Sequence, residues 1–274
     1  MLLNKKRKLS ILGCGWLGLP LAIRLNDNFD IKASTTSKNK LNTLSSFGIN
    51  PYLINLNPTT EIDVSFFDSE ILIICIPPRV RTKGEQFHIK QMECLIPYIE
   101  NSKIQHIIYT SSTSIYPSLS KELDESFVLT SENNGNKTLF EVENILRNNL
   151  RVPTTILRLA GLYGLDRTLI KHFVGRKGLT NGKTPVNLVF QDDVVSCIEQ
   201  IILQNRCNKL YNICADKHPT RKAFYEMLAS KSDYEAPHYE DTVIIPAFKV
   251  ISNVKIKRDL NFEFKYSDPL NFPI

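Results

Sequence analysis

The sequence lacks the residue patterns on which disulfide-rich and metal-binding proteins depend. Its six cysteines include no pair at CxxC spacing, and most stand in apolar runs such as ILIICIPP, where cysteine behaves as a small buried hydrophobe. The five histidines are scattered and none belongs to an HExxH pattern. We therefore expect neither a disulfide framework nor a metal site.

Long apolar runs are also missing. No stretch approaches the roughly 18 residues that a membrane-spanning helix needs, so no membrane association is expected. The KKRK run at 5–8, followed by an apolar stretch, imitates the start of a signal peptide. However, three glycines and a proline interrupt the stretch, and no small-x-small cleavage site follows before Arg24. We therefore expect a cytoplasmic protein.

Charge of one sign is not concentrated anywhere else in the chain. The 34 Lys and Arg residues against 28 Asp and Glu give a net charge of +6, spread widely apart from the run at 5–8. Diffuse positive charge is typical of a solvated surface, so nucleic-acid binding is not expected. Salt-dependent binding to a nucleic-acid duplex would be the observation that supports such a function. With 42% hydrophobic residues, the composition is typical of a globular protein. We expect a monomer or homodimer whose partner is a small-molecule substrate.

Glycines are few, yet three of them fall close together in GCGWLG near the start of the chain. KLSIL before them predicts a buried strand, and LGLPLAIRL predicts a helix. In this context Gly13 would permit a tight turn, Gly15 the approach of a pyrophosphate, and Gly18 close packing of helix on strand. Gly13, Gly15 and Gly18, with the intervening Trp16 and Leu17, are therefore candidate coenzyme-binding residues. The alternative is a glycine turn without a ligand.

A carboxylate is missing where an NAD site usually has one. The next predicted strand, FDIKAS, leads into Thr35, Thr36, Ser37 and Lys38 instead of an Asp or Glu that would hold the ribose 2′-hydroxyl. Hydroxyls and a lysine suit a 2′-phosphate, so these four residues favour NADP over NAD as the cofactor. Alternatively they begin the next helix, with Ser37 or Thr36 as its N-cap, and both roles can hold together.

The remaining segments alternate between strand and helix patterns. Strands are predicted at 70–79, 104–112, 153–164 and 209–216, and helices at 85–100, 136–149 and DDVVSCIEQIILQ. This alternation predicts an α/β fold, a Rossmann-type doubly wound parallel sheet with helices on both faces and a smaller C-terminal substrate lobe. We place the nucleotide-binding domain at 1–164 and the lobe at 165–274, with 186–216 returning to the core. Ile76 and Pro77 end a strand at the adenine side of the coenzyme site.

Hydroxyl groups crowd the end of the strand at 104–112, where the chain reads SSTSIY over 111–116. Ligands of such sheets bind at the carboxyl ends of the strands. These side chains can serve turn and cap chemistry, or one of them can donate a hydrogen bond to a substrate oxygen.

With these segments in hand, the chain resembles the short-chain dehydrogenase/reductase superfamily, in its extended, epimerase/dehydratase-like branch. YTSSTSIYP is similar to the branch's Ser-Ser-x-x-Val-Tyr-Gly motif, LRLAGLYG to its Arg-x-x-Asn-x-Tyr-Gly, and VNLVFQDDVV to its His-Val-x-Asp-Val. In the last, Phe190 replaces the usual His and Asp193 is the acidic residue. The match runs from Lys8 to about Pro273, and YNICADKHPTR adds a narrower similarity to the atypical NAD(P)-dependent epimerases.

The resemblance implies a catalytic Ser followed by a Tyr-x-x-x-Lys element. Ser112, four residues before Tyr116, matches the serine, and Lys137 with Glu141 match the lysine and a later glutamate. Asn133 stands where the tyrosine is expected. An amide cannot replace a phenol as general acid/base, so another group takes over or the redox chemistry is absent.

Several residues are candidates for the roles that remain. Tyr116 and Tyr163 follow strand ends and could exchange the proton, although the family equivalent of Tyr116 is commonly structural. Lys137 could hold the nicotinamide ribose, or be a solvated lysine at a helix start. Asn187 and Arg158 could contact the substrate, and Arg158 could instead be a structural ion-pair partner.

Two functions of different class follow from these residues. The first is an NAD(P)-dependent oxidoreductase or epimerase/dehydratase-like enzyme acting on a small polar hydroxy or keto compound, with sugar-derived compounds included, and with Ser112, Tyr116 and Lys137 as catalytic candidates. The second is a non-catalytic NADP-binding sensor or scaffold protein that has lost the catalytic tyrosine. Activity gained on restoring a tyrosine at Asn133 would favour the second.

Overall fold

A computed structural model describes residues 6–57 and 61–271. The strands are β1 (Arg7–Leu12), β2 (Phe29–Thr35), β3 (Asn50–Leu53), β4 (Ile71–Ile74), β5 (His106–Ser112), β6 (Lys121–Leu123), β7 (Thr154–Leu159), β8 (Gly161–Tyr163), β9 (Leu188–Phe190), β10 (Leu210–Ile213) and β11 (Lys249–Ile251). The helices are α1 (Gly18–Leu25), α2 (Asn39–Ser46), α3 (Val80–Lys83), α4 (Glu85–Glu100), α5 (Lys137–Asn148), α6 (Gln191–Leu203), α7 (Arg221–Ser230) and α8 (Val254–Leu260). Short 3₁₀ helices lie at Val64–Phe67, Thr113–Ile115, Leu169–His172 and Pro269–Asn271. Lys5 of the basic run, Pro273 and the outermost ends of the two predicted domains lie outside the described residues.

Seven strands form the main sheet in the order β10-β7-β5-β4-β1-β2-β3. Strand β1 pairs in parallel with β2 on one side and with β4 on the other, and the β2–β3 and β4–β5 pairs are also parallel. The strand order therefore reverses between β1 and β4, which is where open α/β sheets bind ligands at the carboxyl ends of their strands. The predicted α/β fold of Rossmann type is confirmed.

Most of the predicted elements are present, but one segment predicted as a single strand forms two strands. The segment predicted as a continuous strand over 153–164 breaks at Ala160. Strand β7 belongs to the main sheet, whereas β8 pairs in parallel with β9 in a separate two-stranded sheet. The backbone N–H of Ala160 donates to Ile213 and that of Gly161 to Asn187, so neighbouring residues are drawn to different partners. The strand predicted over 70–79 ends at Ile74, ahead of Pro77 and Pro78.

The chain divides into two compact units. The first comprises 1–111, 136–157 and 198–210, and its core is formed by aliphatic and aromatic side chains of β1, β4, β5, α4 and α5. The second comprises 112–135, 158–197 and 211–274, and its core includes Tyr163, Phe190 and Phe224. These units differ from the predicted division at 164/165. The segment 112–135 joins the second unit because its strand β6 pairs with β11, and 186–197 does not return to the first.

Helix α5 shows how sequence pattern fixes an element of the first unit. The side chain of Asn136 accepts a hydrogen bond from the backbone N–H of Leu139, which caps the helix start. The predicted apolar stripe is buried at Leu139, Val142 and Leu146. On the same helix Glu143 is buried and accepts a hydrogen bond of 2.6 Å from the Ser111 hydroxyl at the end of β5. This bond fixes the end of β5 against α5.

Candidate functional site

The three glycines of the loop between β1 and α1 have different surroundings. Gly13 has φ +96°, and a Cβ there would lie 2.8 Å from Ile76 Cγ2. A Cβ on Gly18 would lie 2.5 Å from the carbonyl oxygen of Gly13. At Gly15, in contrast, nothing lies within 4 Å of the position that a Cβ would take, so this glycine borders open space. The first and third glycines are required by close packing, and the second leaves room for a ligand.

Backbone hydrogen bonds hold the first half of this loop against β2. Gly13 N–H donates to Ser34 Oγ at 2.8 Å, and Cys14 N–H donates to the Ser34 carbonyl at 2.7 Å. No acceptor among the described residues is found for the backbone N–H groups of Leu17 and Gly18. Unpaired N–H groups and the positive end of the helix dipole at the start of α1 suit a phosphate.

The other predicted coenzyme-binding residues lie around this loop or at the adjoining strand ends. Trp16 is half-buried, and Leu17 is buried. Ile76, which follows β4, packs on Gly13, and Pro77 beside it is exposed. The loop and the end of β4 therefore present a mixed surface, with apolar side chains next to backbone donors.

At the end of β2 the predicted hydroxyl-rich segment is partly exposed. Thr35 is buried and its Oγ1 accepts from Ser37 N–H, whereas Thr36 and Lys38 are exposed. Helix α2 starts at Asn39, and no side chain caps it, so the alternative in which Ser37 or Thr36 is its N-cap is wrong.

Positive charge lies close to the glycine loop. Burial raises the pKa of the Cys14 thiol to about 12, and the nearby Lys40 ammonium acts in the opposite direction. Cys14 is therefore an inert buried thiol, and the Lys40 charge reaches the loop. Lys40 lies in α2 and Lys38 directly precedes that helix, so two lysines are available beside the glycine loop for an anion.

Ser112 ends β5 and is half-buried. Its Oγ accepts a hydrogen bond of 3.1 Å from the backbone N–H of Ser114, which caps the 3₁₀ turn that follows. Because that bond uses the oxygen only as an acceptor, the hydroxyl hydrogen remains available for a substrate oxygen. Turn chemistry and a substrate contact are therefore compatible at this residue.

Asn133 uses its side chain within its own loop. Its Oδ1 accepts from the backbone N–H of Thr130 at 2.7 Å, and its Nδ2 donates to the carbonyl of Val128 at 3.1 Å. The residue at the family's tyrosine position therefore stabilises the segment 128–133, and both ends of its amide are engaged there.

Lys137 is the first residue of α5, and both it and Glu141 one turn later are exposed. The Lys137 ammonium makes no hydrogen bond or ion pair with another residue in the described part of the chain. It is free to bind a ligand, and equally free to be solvated.

Tyr116 belongs to the second unit, and only 1% of its surface is exposed. Its hydroxyl donates to Asn212 Oδ1 at 3.0 Å, and the Arg158 guanidinium lies 4.7 Å from its ring centroid. Burial raises the pKa of the Tyr116 phenol, and that of the equally buried Tyr163. These surroundings favour a structural role for both phenols and disfavour proton exchange with a ligand.

The remaining polar candidates have structural partners within the second unit. Arg158 is buried against Tyr116, and the Asn187 amide bonds the backbone of β11, donating to the Lys249 carbonyl and accepting from Ile251 N–H, both at 2.9 Å. The buried Asp193 carboxylate accepts from the backbone N–H groups of Lys265 and Tyr266. Lys249 itself is a functional candidate that the sequence did not indicate, since one lysine in KVI carries no motif.

This chain is similar in sequence to a known protein along nearly its whole length. No family model matches the chain. Over 273 residues, covering 98% of this chain and 99% of the relative, it is 32% identical to protein YeeZ of Escherichia coli strain K12. None of the helices within residues 6–57 and 61–271 has the length and apolarity needed to cross a bilayer.

Solved structures of similar fold include two epimerases. UDP-glucuronic acid 4-epimerase from Bacillus cereus, in complex with UDP-glucuronic acid and NAD, is 17% identical with a TM-score of 0.76, over 96% of both chains. UDP-glucose 4-epimerase from Thermotoga maritima, with UDP-glucose, is 16% identical with a TM-score of 0.72, again over 96% of both chains. The fold is thus the one expected from the resemblance to extended short-chain dehydrogenases/reductases, and the identity to YeeZ over nearly the whole chain shows that this protein belongs to the YeeZ family.

Proposed function

We propose that this protein is an NADP-dependent oxidoreductase or epimerase/dehydratase-like enzyme that acts on a small polar hydroxy or keto compound, with sugar-derived compounds included. The observation that carries the proposal is the glycine loop, in which Gly15 borders open space beside the unpaired N–H groups of Leu17 and Gly18. The solved epimerases of the same fold, one of them with NAD bound, support the nicotinamide coenzyme and the class of reaction.

The preference for NADP rests on the end of β2. Thr36 and Lys38 are exposed there, Lys40 lies near the loop, and no carboxylate follows the strand. A 2′-phosphate would gain hydrogen bonds and charge pairing from these groups, and the ribose 2′-hydroxyl of NAD would find no acidic acceptor. The coenzyme would supply or accept hydride. In this assignment Ile76 and Pro77 contact the adenine side, and Lys137 holds the nicotinamide ribose.

The coenzyme preference can be measured by titrating the protein with NADPH and NADH and following nucleotide fluorescence. We expect NADPH to bind more tightly than NADH. Replacement of Lys38 by alanine should weaken NADPH binding about tenfold, because one charge-assisted hydrogen bond is lost, and should leave NADH binding unchanged. Lys103→Ala is the matched control, since Lys103 is an exposed lysine at the opposite, amino-terminal end of β5.

Two results would count against these assignments. Equal affinity for both nucleotides would remove the NADP preference and leave the coenzyme site. Binding of neither would return the glycines to a structural turn.

The second candidate function, a non-catalytic NADP-binding sensor or scaffold, is favoured by one observation. Asn133 occupies the tyrosine position, and both ends of its amide are engaged within its own loop. Under this function the protein binds NADPH, shows no turnover with any hydroxy or keto compound, and gains activity when Asn133 is replaced by tyrosine. Existing activity that falls in Ser112→Ala would instead favour the enzyme.

A further inference from the structure

Strand β11 holds one lysine in a fixed position within the second unit. Lys249–Ile251 pairs in parallel with β6, and the Asn187 amide bonds Lys249 O and Ile251 N from the other side. Because hydrogen bonds fix the strand on both edges, the backbone from which the Lys249 side chain extends has little freedom.

The Lys249 amine reaches the turn that follows Ser112. Its Nζ donates a hydrogen bond to the carbonyl of Tyr116. Gly135 packs against the same turn so closely that a Cβ there would lie 2.7 Å from the carbonyl oxygen of Ser114 and would overlap that of Tyr116. The amine therefore lies where the turn after Ser112 meets the segment that follows Asn133, and these are the two places where the family's catalytic groups are expected.

The surroundings of the amine favour proton exchange near neutral pH. Burial lowers the pKa of Lys249 to about 8, and no charged group contributes to the shift. Lys121 and Glu122, the charged residues of the paired strand β6, are exposed, and the Tyr116 hydroxyl is directed to Asn212. An ammonium that donates one hydrogen to a carbonyl keeps two more for a ligand.

Three polar side chains that the sequence analysis singled out are less suited to exchange a proton. The phenol of Tyr116 is buried and its pKa is raised, and the Asn133 amide does not titrate. Ser112 can orient an oxygen, but an unactivated hydroxyl is a poor general base. A group whose pKa lies near the operating pH is the most effective acid/base.

We propose that Lys249 is the general acid/base of this protein, in place of the tyrosine that Asn133 replaces. The proposal rests on the function proposed above and deepens it. In the oxidative direction the substrate C–H hydride passes to the oxidised nicotinamide coenzyme, the hydroxyl proton passes to the neutral Lys249 amine, and the carbon–oxygen bond becomes a carbonyl. In reduction the ammonium returns the proton to the oxygen as hydride arrives at the carbon.

The test compares wild-type protein with Lys249→Met and Lys249→Arg. Turnover is followed by NADPH absorbance with a panel of UDP-sugars, 2-hydroxy acids and 2-keto acids, and NADPH affinity is measured for each protein. We expect kcat to fall about 100-fold in both variants, with NADPH affinity unchanged. Arginine keeps the charge and the hydrogen bond to Tyr116 but cannot release a proton in this range, since its pKa lies above about 12.

The outcomes separate this proposal from the one on which it rests. Wild-type turnover that survives in Lys249→Met overturns the role of Lys249 and leaves the enzyme proposal standing. Activity retained by Lys249→Arg alone shows a structural hydrogen bond and also overturns it. A wild-type protein that binds NADPH but converts no panel compound overturns both.

A second readout does not depend on turnover. The extent of acetylation of Lys249 by acetic anhydride, followed by mass spectrometry across pH, should reach half its maximum near pH 8. A midpoint above about pH 10, the range of an ordinary lysine, would overturn the proposal.

Discussion

Replacement of Gly15 by valine is expected to abolish NADPH binding while the protein remains folded. No atom lies within 4 Å of the position that a Cβ would take, so the fold accommodates the side chain. The same side chain would occupy the space in which we place the pyrophosphate, and the backbone could no longer approach it. We expect no saturable binding at a hundred times the wild-type dissociation constant, and an unchanged melting temperature by circular dichroism.

Gly18→Ala provides the matched comparison within the same loop. Its Cβ would lie 2.5 Å from the Gly13 carbonyl oxygen, a backbone atom that cannot move aside without shifting the turn. We expect this variant to lose about 1–3 kcal/mol of folding free energy, as overpacked sites do. A Gly15→Val protein that binds NADPH as tightly as wild type would show that the loop does not carry the coenzyme. If Gly15→Val lost as much folding stability as Gly18→Ala, its loss of NADPH binding would reflect a damaged fold. The loss could then not be assigned to a side chain in the pyrophosphate position.

The sequence alone was enough to predict the elements that depend on local residue patterns. The glycine spacing, the strand before it and the helix after it were all predictable, because turn geometry and the 3.6-residue period act over short distances. Helix α4 was predicted at 85–100 and is found at Glu85–Glu100. The parallel sheet followed from the alternation of these elements.

Long-range polar pairing could not be predicted in the same way. Arg158 and Asn187 were candidate substrate contacts because polar residues near strand ends suggest a site. In the structure one stacks on Tyr116 and the other bonds β11, which is some 60 residues further along the chain. Lys249 was missed for the converse reason, because its environment arises from burial beside the turn at Tyr116, and no local pattern records that.

Acid should weaken the first unit before its carboxylates are protonated. His106, in β5, is 4% exposed, and burial lowers the pKa of its imidazole to about 4. Its Nε2 lies 2.9 Å from Thr155 Oγ1, and that hydroxyl donates to the Arg206 carbonyl, so the imidazole is the donor. In the unfolded chain the same group titrates near pH 6.5. Between these values the unfolded state binds more protons, so stability falls as pH drops from about 6.5 to 4, by about 3 kcal/mol in total.

Urea unfolding at a series of pH values from 7.5 to 4.5 measures this loss, and His106→Asn isolates it. The variant is less stable at pH 7.5, because the buried bond to Thr155 is lost, but its stability should vary less with pH than that of wild type. His88, also buried and with its pKa lowered, remains in both proteins and contributes in the same direction. His172→Asn is the control, since His172 is exposed. Parallel pH curves for wild type and His106→Asn would mean that the pKa of His106 is the same in the folded and unfolded protein, and that the acid sensitivity arises elsewhere.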